Sequence, residues 1–353
     1  MELNQLKTSA IDLLKSMIQT ESFSEQEQGT ALLIENWLQS YGVETQRDYF
    51  NIWATNKHFD DTKPTILMNS HHDTVRPNKA YTRDPFQASV EDGKLYGLGS
   101  NDAGGCLVSL LATFVSLYEE QDLKYNLLMI ASAEEEAARD HGLASVIPVV
   151  PSIDFAIVGE PTLLNLAIAE KGLLVLDCYV DGTPGHAAHI KEDMAIYKAM
   201  EDIKWFEEYK FEKVSEVLGP VKMTVTQINA GTQHNVVPAK CHYVVDVRVN
   251  DKYTNKEILD FISSKVHAKV QARSLRLNSS AIDKNHPIVQ AGVAMGRETY
   301  GSPTLSDQAV LTCQSLKLGP GDSLRSHSAD EFIYLHEIEE GIDLYRALIK
   351  KIN

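Results

Sequence analysis

Apolar residues near the N-terminus follow the spacing of one helix face, and they predict a helix over residues 3–18. A second helix is predicted to begin at a capping box, Ser24-Glu25-Gln26-Glu27, and to end at Gly42. Its inward-facing residues are predicted to be Leu33, Trp37 and Leu38. The chain therefore opens with two amphipathic helices.

Apolar runs of strand length follow these helices, at residues 65–69, 125–131 and 155–158. A glycine-rich turn over residues 96–105 separates the first two runs and leads into a helical stretch over residues 106–118. Buried strands that alternate with helices predict an α/β fold whose mixed sheet is flanked by helices and has parallel strands. Ligands of such sheets collect at the carboxyl ends of the strands.

From about residue 172 the predicted order becomes β-α-β-β-α-β, which is the split ferredoxin-like arrangement. The predicted elements are strand 173–180, helix 192–208, strands 221–228 and 241–249, helix 255–270 and strand 272–277. We therefore expect an inserted α+β domain over residues 173–280. The remaining residues, 1–172 and 281–353, would form one catalytic domain.

The composition is that of an ordinary soluble protein, with 43% hydrophobic and 23% charged residues among 353. Acidic residues outnumber basic ones by 49 to 33, which argues against binding to nucleic acid or to an anionic membrane. The N-terminus lacks a basic region followed by a long apolar segment, and no apolar run reaches membrane-spanning length. We expect a cytoplasmic protein. Its four cysteines, scattered without C-x-x-C spacing, are expected to be free thiols.

Polar residues with metal-binding chemistry stand where the predicted strands end. His71 and Asp73 follow the first strand, Asp102 lies in the glycine-rich turn, the triplet Glu134-Glu135-Glu136 follows the next strand, and Glu160 follows the third. Each alone is compatible with an ordinary turn or with a solvated helix start. Together they are improbable unless a ligand binds at this edge of the sheet.

His327, in a glycine-rich loop near the C-terminus, adds a second imidazole to this set. Two imidazoles and three carboxylates suit zinc or cobalt better than magnesium. A carboxylate that bridges two ions would bring them within about 4 Å, an arrangement that activates water and polarises a carbonyl. The remaining Glu would then serve as the general base.

These motifs together resemble the dinuclear zinc deacylases and peptidases, a family that includes acetylornithine deacetylase, succinyl-diaminopimelate desuccinylase, aminoacylase and carboxypeptidase G. The resemblance covers essentially the whole chain. The matching motifs are H-x-D at His71 and Asp73, the turn with Asp102, Gly104 and Gly105, the Glu triplet, G-E-P-T at 159–162, and the G-P-G loop at 319–321 followed by His327.

The resemblance implies that His71 and Glu160 hold one zinc ion, that Glu136 and His327 hold the other, and that Asp102 bridges them. Glu135 would be the general base, and Asp73 would accept a hydrogen bond from His71 that fixes its tautomer and raises its basicity. A shift of the base and ligand to Glu134 and Glu135 remains an alternative, because relatives commonly have Asp-Glu-Glu. His72 stands where relatives have Thr and is not expected to be a ligand. The resemblance also implies a cis peptide bond between Asp102 and Ala103.

The inserted domain carries three further candidates through the resemblance. His186, rather than His189, would reach into the partner subunit's active site of a homodimer and stabilise the oxyanion, which makes the insert both lid and dimer interface. Asn235 and Arg248 would bind the substrate carboxylate. Arg248 could equally form a structural pair with Asp246.

The expected function is the metal-dependent hydrolysis of an N-acyl amino acid. The loop over residues 325–331 favours an acetylornithine deacetylase of arginine biosynthesis. The alternatives are a succinyl-diaminopimelate desuccinylase, an acyl-lysine or acyl-citrulline deacylase, and a dipeptidase. A non-catalytic amino-acid-binding relative is the remote alternative.

Overall fold

The structure, a computed structural model, describes residues 2–190 and 192–353. Most helices lie where the apolar periodicity places them, and the first begins and ends where predicted. The α-helices are α1 (Leu3–Ile18), α2 (Gln28–Ser40), α3 (Gly105–Leu117), α4 (Leu143–Val146), α5 (Ala195–Glu208), α6 (Asn255–Ser263), α7 (Pro287–Ala294) and α8 (Leu335–Ile352).

The strands separate into several sheets. In chain order they are β1 (Gln46–Asp48), β2 (Asn51–Thr55), β3 (Thr65–His71), β4 (Ser89–Glu91), β5 (Lys94–Tyr96), β6 (Asn126–Ser132), β7 (Phe155–Val158), β8 (Leu166–Glu170), β9 (Gly172–Asp181), β10 (Gly185–His186), β11 (Lys222–Ala230), β12 (Val236–Val237), β13 (Lys240–Val249), β14 (Lys269–Ala272), β15 (Ser280–Ala281), β16 (Thr299–Ser302), β17 (Gln314–Lys317) and β18 (Phe332–Tyr334).

The largest sheet is mixed and runs in the order β1-β2-β6-β3-β7-β17-β8-β15, with β16 paired to β8. Its centre is parallel, because β3 pairs in parallel with both β6 and β7, and β17 pairs in parallel with β7. The outer pairs β1–β2, β2–β6 and β8–β17 are antiparallel. Every residue of β3, β6 and β7 is buried, as expected for strands that are covered on both faces. The predicted mixed sheet flanked by helices is confirmed.

Helix α3 packs against β3 and β6, and α1 and α8 pack against α3. The window Ser100–Leu117 is long and apolar enough to span a membrane by composition, but 83% of it is buried inside the protein. A helix so enclosed by its own chain is the core helix of a domain. Packing within the protein thus explains why the segment of residues 100–117 is so apolar.

Residues 2–168, 281–300 and 306–353 form one compact unit, and residues 169–280 with 301–305 form a second. The second unit contains the antiparallel sheet β11-β13-β9-β14 together with α5 and α6. This is the predicted β-α-β-β-α-β order, with the small ribbon β10–β12 added.

Two local predictions are wrong. The capping box of α2 does not form, because the Ser24 hydroxyl donates to Asp73 and the Glu27 carboxylate accepts the backbone N–H of Glu134. Helix α6 ends at Ser263 and not at residue 270, so β14 begins at Lys269 and ends at Ala272. The N–H groups of His267 and Ala268 donate to the buried carboxylate of Asp202. These bonds hold the segment between α6 and β14 in a non-helical conformation, so the strand begins earlier than predicted.

Candidate metal centre

The strand ends that carry the candidate ligands meet because their strands are parallel neighbours. In the register of the central sheet, His71 at the end of β3 lies opposite Ser132 at the end of β6, and Asn69 lies opposite Val158 at the end of β7. The Glu triplet follows β6 by two residues, and Glu160 follows β7 by two. Three separate segments therefore deliver side chains to one edge of the sheet.

His71 faces three carboxylates. Its Nε2 lies 3.4 Å from Oδ1 of Asp102, 3.7 Å from Oε1 of Glu160 and 4.0 Å from Oε2 of Glu135. Ligand atoms at about 2.0–2.1 Å from a tetrahedral zinc ion lie roughly 3.3 Å from one another. The spacing around His71 therefore fits donors that share one ion.

His327 faces the other side of Asp102. Its Nε2 lies 3.6 Å from Oδ2 of Asp102 and 3.0 Å from Oε2 of Glu136. The two oxygens of Asp102 thus face different imidazoles, Oδ1 towards His71 and Oδ2 towards His327. This is the geometry that a carboxylate needs in order to bridge two ions.

The predicted ligands and the predicted base lie within one cluster. Donor atoms of His71, Asp102 and Glu136 lie within 4.8 Å of one another, as do those of His71, Glu135 and Glu160. Glu135 is therefore as close to the cluster as the ligands are. Its assignment as base depends on the family resemblance and not on distance.

Asp73 supports both His71 and the Glu triplet. The His71 Nδ1 lies 3.0 Å from the Asp73 carbonyl oxygen and 3.3 Å from its Oδ1, so a proton on Nδ1 leaves the Nε2 lone pair free for a cation. The Asp73 carboxylate also accepts the N–H groups of Glu135 and Glu136, at 3.1 and 3.2 Å. One buried carboxylate thus orients an imidazole and holds the loop that carries two further site residues.

Glu134 and His72 face away from the cluster. The Glu134 N–H donates to Glu27 at 3.0 Å, and its Oε2 accepts the N–H of His141 at 2.9 Å. His72 lies 2.9 Å from the Thr30 hydroxyl and 3.0 Å from the Phe50 carbonyl oxygen, and burial lowers its pKa to about 4. This geometry favours Glu135 and Glu136 over Glu134 and Glu135.

The backbone around the cluster is unusual at two places. The peptide bond between Asp102 and Ala103 is cis, as the resemblance implied. In the G-P-G loop, a Cβ at Gly319 would lie 2.5 Å from Sγ of Cys106 and 2.6 Å from the Glu160 carbonyl oxygen. Only glycine lets this loop approach the strand end that carries Glu160.

Burial and charge alter the ionisation of the site. Burial and the neighbouring Asp102 raise the pKa of Glu160 to about 8, and burial raises the pKa of Glu135 well above its usual value. The hydrogen bond with Glu136 raises the pKa of His327 to about 9. Several protons are therefore bound to the cluster at neutral pH when no cation compensates its negative charge.

The three candidate site residues of the second unit lie at two separate locations. His186 lies on β10 and is exposed, and the Asn235 carbonyl oxygen accepts the N–H of Ala187 at 3.0 Å. Arg248 lies near the far end of β13, opposite Leu173, and donates to the Asp246 carboxylate at 2.8 and 3.1 Å. The strand from Cys241 to Arg248 spans roughly 23 Å at ~3.3 Å per residue. Asn235 and Arg248 of one chain therefore do not share a site.

Buried acidic residues to which the sequence assigned no role in the site surround the cluster. Glu27 holds Glu134, Asp307 accepts the Ser132 hydroxyl at 2.5 Å, and Glu331 accepts three backbone N–H groups of the turn that contains Asp102. Their partners are remote in sequence, so no local pattern points to them. The only signal was the position of Glu331 four residues after His327.

Known proteins resemble this chain in sequence and in fold. The family model of peptidase family M20/M25/M40 matches residues 67–351. The chain is 25% identical over 376 residues to a succinyl-diaminopimelate desuccinylase of Psychromonas ingrahamii, covering 96% of this chain and 97% of the relative. It is 27% identical over 375 residues to an acetylornithine deacetylase of Proteus mirabilis, covering 96% of each. The YXEP protein of Bacillus subtilis, a dinuclear metal-binding M20 peptidase, has the same fold, with a TM-score of 0.74, 17% identity and coverage of 98% of each chain.

We expect metal binding at pH 7 to release at least two protons, because Glu160 and His327, with pKa values of about 8 and 9, must lose theirs to become ligands, and His71, whose pKa is raised well above its usual value, adds to the count. Since these pKa values are raised, metal affinity should increase as the pH rises from 6 to about 9 and then level off. Calorimetric titration with Zn²⁺ in buffers of different ionisation enthalpy measures the release. His327→Gln should remove one proton from the count. Binding heats that are independent of the buffer would contradict the assignment.

Proposed function

This chain belongs to peptidase family M20/M25/M40, a family of metal-dependent amidohydrolases, and we propose that its substrate is an N-acyl amino acid. The observation that carries the proposal is the placement of the Asp102 carboxylate between two imidazoles, with one oxygen directed to each. We propose that His71 and Glu160 hold one ion, that Glu136 and His327 hold the second, and that Asp102 bridges them. Zinc is the proposed metal and cobalt the alternative, because the donor set combines imidazoles with carboxylates.

Two ions held by these residues would supply Lewis acidity, which makes water more acidic and polarises the amide carbonyl. In the proposed reaction Glu135 takes a proton from the attacking water and gives it to the nitrogen of the leaving amine, so that the C–N bond breaks to a carboxylate and a free α-amine. Its position is fixed by the bond from its own N–H to Asp73. The same carboxyl group thus serves first as base and then as acid.

The proposed acyl amino acid is N-acetylornithine. The residues from Arg325 to Glu331 support this choice through their resemblance to the deacetylase loop, and the Proteus mirabilis relative carries that activity in its name. A succinylated substrate is the second candidate, because the Psychromonas ingrahamii relative, which matches over the same length, is a desuccinylase. In both substrates the acyl group is attached by an amide bond to the α-nitrogen of an amino acid, and the α-carbon carries a free carboxylate.

A homodimer through the second unit is part of the proposal. Strand β11 is the outermost strand of its sheet, so one row of its backbone groups has no partner within that sheet. Large apolar side chains are exposed on β11 and on α5, a helix that packs against it: Ile228 is 51% exposed, and Tyr197 and Met200 are 56% and 55% exposed. Such an edge and its apolar neighbours are suited to pairing with a second copy of the chain.

Because His186 and Asn235 lie far from Arg248 within the second unit, we propose that they act separately from it. His186 and Asn235 lie together at one end of the unit, and Arg248 lies at the other end, beside Gly172 where β9 begins. We propose that His186 and Asn235 together serve the partner's active site, and that Arg248 binds a substrate carboxylate apart from them. His186 would donate to the developing oxyanion, an interaction worth roughly 3 kcal/mol or more. The second unit would then be both lid and dimer interface.

An assay with a panel of acyl amino acids tests the substrate. We expect the purified, zinc-loaded protein to cleave N-acetylornithine with a kcat/KM at least about tenfold above that for other acetylated amino acids, since a pocket that reads a side chain discriminates by that order. Succinyl-diaminopimelate, acetyl-lysine, acetyl-citrulline and a dipeptide complete the panel. A marked preference for the succinylated substrate would replace the deacetylase assignment by the second candidate. No cleavage of any substrate, with metal bound, would favour the non-catalytic alternative.

Two matched variants distinguish the proposed base, Glu135, from the proposed metal ligand, Glu136. Glu135→Gln should reduce kcat by about 10²-fold or more and retain two ions, because only proton transfer is lost. Glu136→Gln should lose occupancy at one metal position, because a ligand is lost. Metal analysis of the dialysed proteins together with steady-state kinetics measures both effects. Glu134→Gln serves as the control and should change neither property. Loss of turnover in Glu134→Gln together with loss of a metal ion in Glu135→Gln would move the assignment back by one residue.

Mixing two inactive variants tests the donation of His186 in trans. His186→Ala should lower kcat by about 10²–10³-fold with its metal content unchanged, since a donor to the oxyanion is lost. Mixed with Glu135→Gln and allowed to exchange subunits, it should regain activity, because one site of each mixed dimer contains both an intact Glu135 and the partner's intact His186. A mixture that stays inactive, although mixed dimers are present by mass spectrometry, would show that His186 does not act across the interface.

A further inference from the structure

The turn that carries Asp102 satisfies only part of its own backbone, because the N–H groups of Gly104 and Gly105 donate to Gly99 and Ser100 but other N–H groups need acceptors from outside the turn. Residues Ser100–Gly104 precede α3 as an irregular helical turn in which Asp102 (φ −117°, ψ 100°) and Ala103 (φ −114°, ψ 30°) depart from helical geometry. No side chain at the start of this turn, or of α3, caps it. The N–H groups at the beginning of a helix need acceptors from elsewhere, and an irregular turn leaves more of them without one.

A single carboxylate supplies those acceptors. Oε2 of Glu331 accepts the N–H of Gly99 at 3.0 Å, and Oε1 accepts the N–H groups of Asn101 and Asp102 at 2.8 and 2.9 Å. Glu331 is 2% exposed, so water does not compete for these bonds. Three backbone amides that donate to one carboxyl group fix the orientation of the turn relative to that group.

The backbone of Glu331 is itself fixed. Its carbonyl oxygen accepts the N–H of Gly97 at 3.0 Å, and the next residue, Phe332, begins β18 and pairs with Tyr96 of β5. Glu331 also lies in the same loop as His327, four residues further along the chain. Its side chain therefore connects the loop that carries one candidate ligand to the turn that carries another.

We propose that Glu331 is the positioning residue for the bridging carboxylate of Asp102. This inference rests on the metal-binding role proposed above for Asp102. The Asp102 amide nitrogen is bonded directly to the Cα that carries the bridging side chain, so the bond to Glu331 determines where that side chain starts. The Asp102 oxygens lie 3.4 and 3.6 Å from the two imidazoles, and a small displacement of the turn would place one of them outside the ligand spacing. Glu331 would thus determine the affinity for both ions without touching either.

The neighbouring Asp330 offers a matched control. Its carboxylate accepts the N–H groups of Thr82 and Arg83, both at 2.9 Å, and the hydroxyl of Thr82 at 2.5 Å. It is thus a carboxylate in the same loop that accepts backbone amides, but it holds a segment that contains no candidate ligand. A general effect of removing a loop anchor should appear in both variants, whereas an effect on the bridging carboxylate should appear only in Glu331→Gln.

The test compares Glu331→Gln, Glu331→Asp and Asp330→Asn in the full chain, by Zn²⁺ affinity in competition with a chelator and by thermal unfolding of the metal-free protein. Glu331→Gln should bind zinc about 10–100-fold more weakly, because its amide offers one acceptor and turns an NH₂ group towards the backbone donors. Glu331→Asp should recover part of this loss, and Asp330→Asn should stay within about twofold of the wild type, inside the ordinary scatter of a surface substitution. At saturating zinc, Glu331→Gln should lower kcat with little change in KM.

The outcomes distinguish this inference from the proposed function. If Asp102→Asn binds zinc as tightly as the wild type, the proposed metal site is wrong. If Asp102→Asn loses zinc but Glu331→Gln keeps the wild-type affinity, the site stands and the positioning role of Glu331 is overturned. Equal losses of affinity in Glu331→Gln and Asp330→Asn would also overturn it, because they would indicate a general loosening of the loop. Should Glu331→Gln not fold, unchanged affinity in Glu331→Asp would decide against the proposal.

Discussion

The whole site depends on the convergence of several carboxylates on two imidazoles at the buried end of a sheet. Asp102, Glu135, Glu136 and Glu160 lie close enough to repel one another, and each of these side chains is at most 14% exposed, so water screens their charge poorly. Burial and mutual repulsion raise the pKa values of Glu135 and Glu160, so the cluster retains protons unless cations replace them. An arrangement that is unfavourable without compensating charge is one that binds divalent ions tightly when they are offered.

Such a cluster persists only if the segments that carry it are held by other parts of the chain. Three buried carboxylates do this by accepting backbone amides: Asp73 holds Glu135 and Glu136, Glu27 holds Glu134, and Glu331 holds the turn with Asp102. Each bond satisfies a buried N–H group that would otherwise lose its water without replacement. The same bonds therefore stabilise the fold and set the geometry of the site.

The second unit is organised by the alternation of its strands. Leu174, Leu176 and Cys178 of β9 point into the core beneath α5 and α6, and the residues between them form a more polar face. On that polar face His242 stacks on Tyr179 and contacts Asp177, which also accepts from Arg273. One face of the sheet is thus covered by helices, and β11 remains at its edge.

The sequence alone determined the order of elements, the parallel centre of the sheet and the residues at its strand ends. These follow from periodicity and turn chemistry, which are local properties of the chain. The convergence of His71, Glu135 and Glu160 was predictable for the same reason, since the ends of parallel strands meet at one edge. The tertiary structure decided everything that depends on a partner distant in the chain. It turned Ser24 and Glu27 from a predicted helix cap into supports of the site, and it ended α6 early through Asp202. It also directed Glu134 away from the cluster and brought Glu331 to a turn more than two hundred residues earlier in the chain. A hydrogen bond is specified by the position of both partners, and only the folded chain brings such partners together.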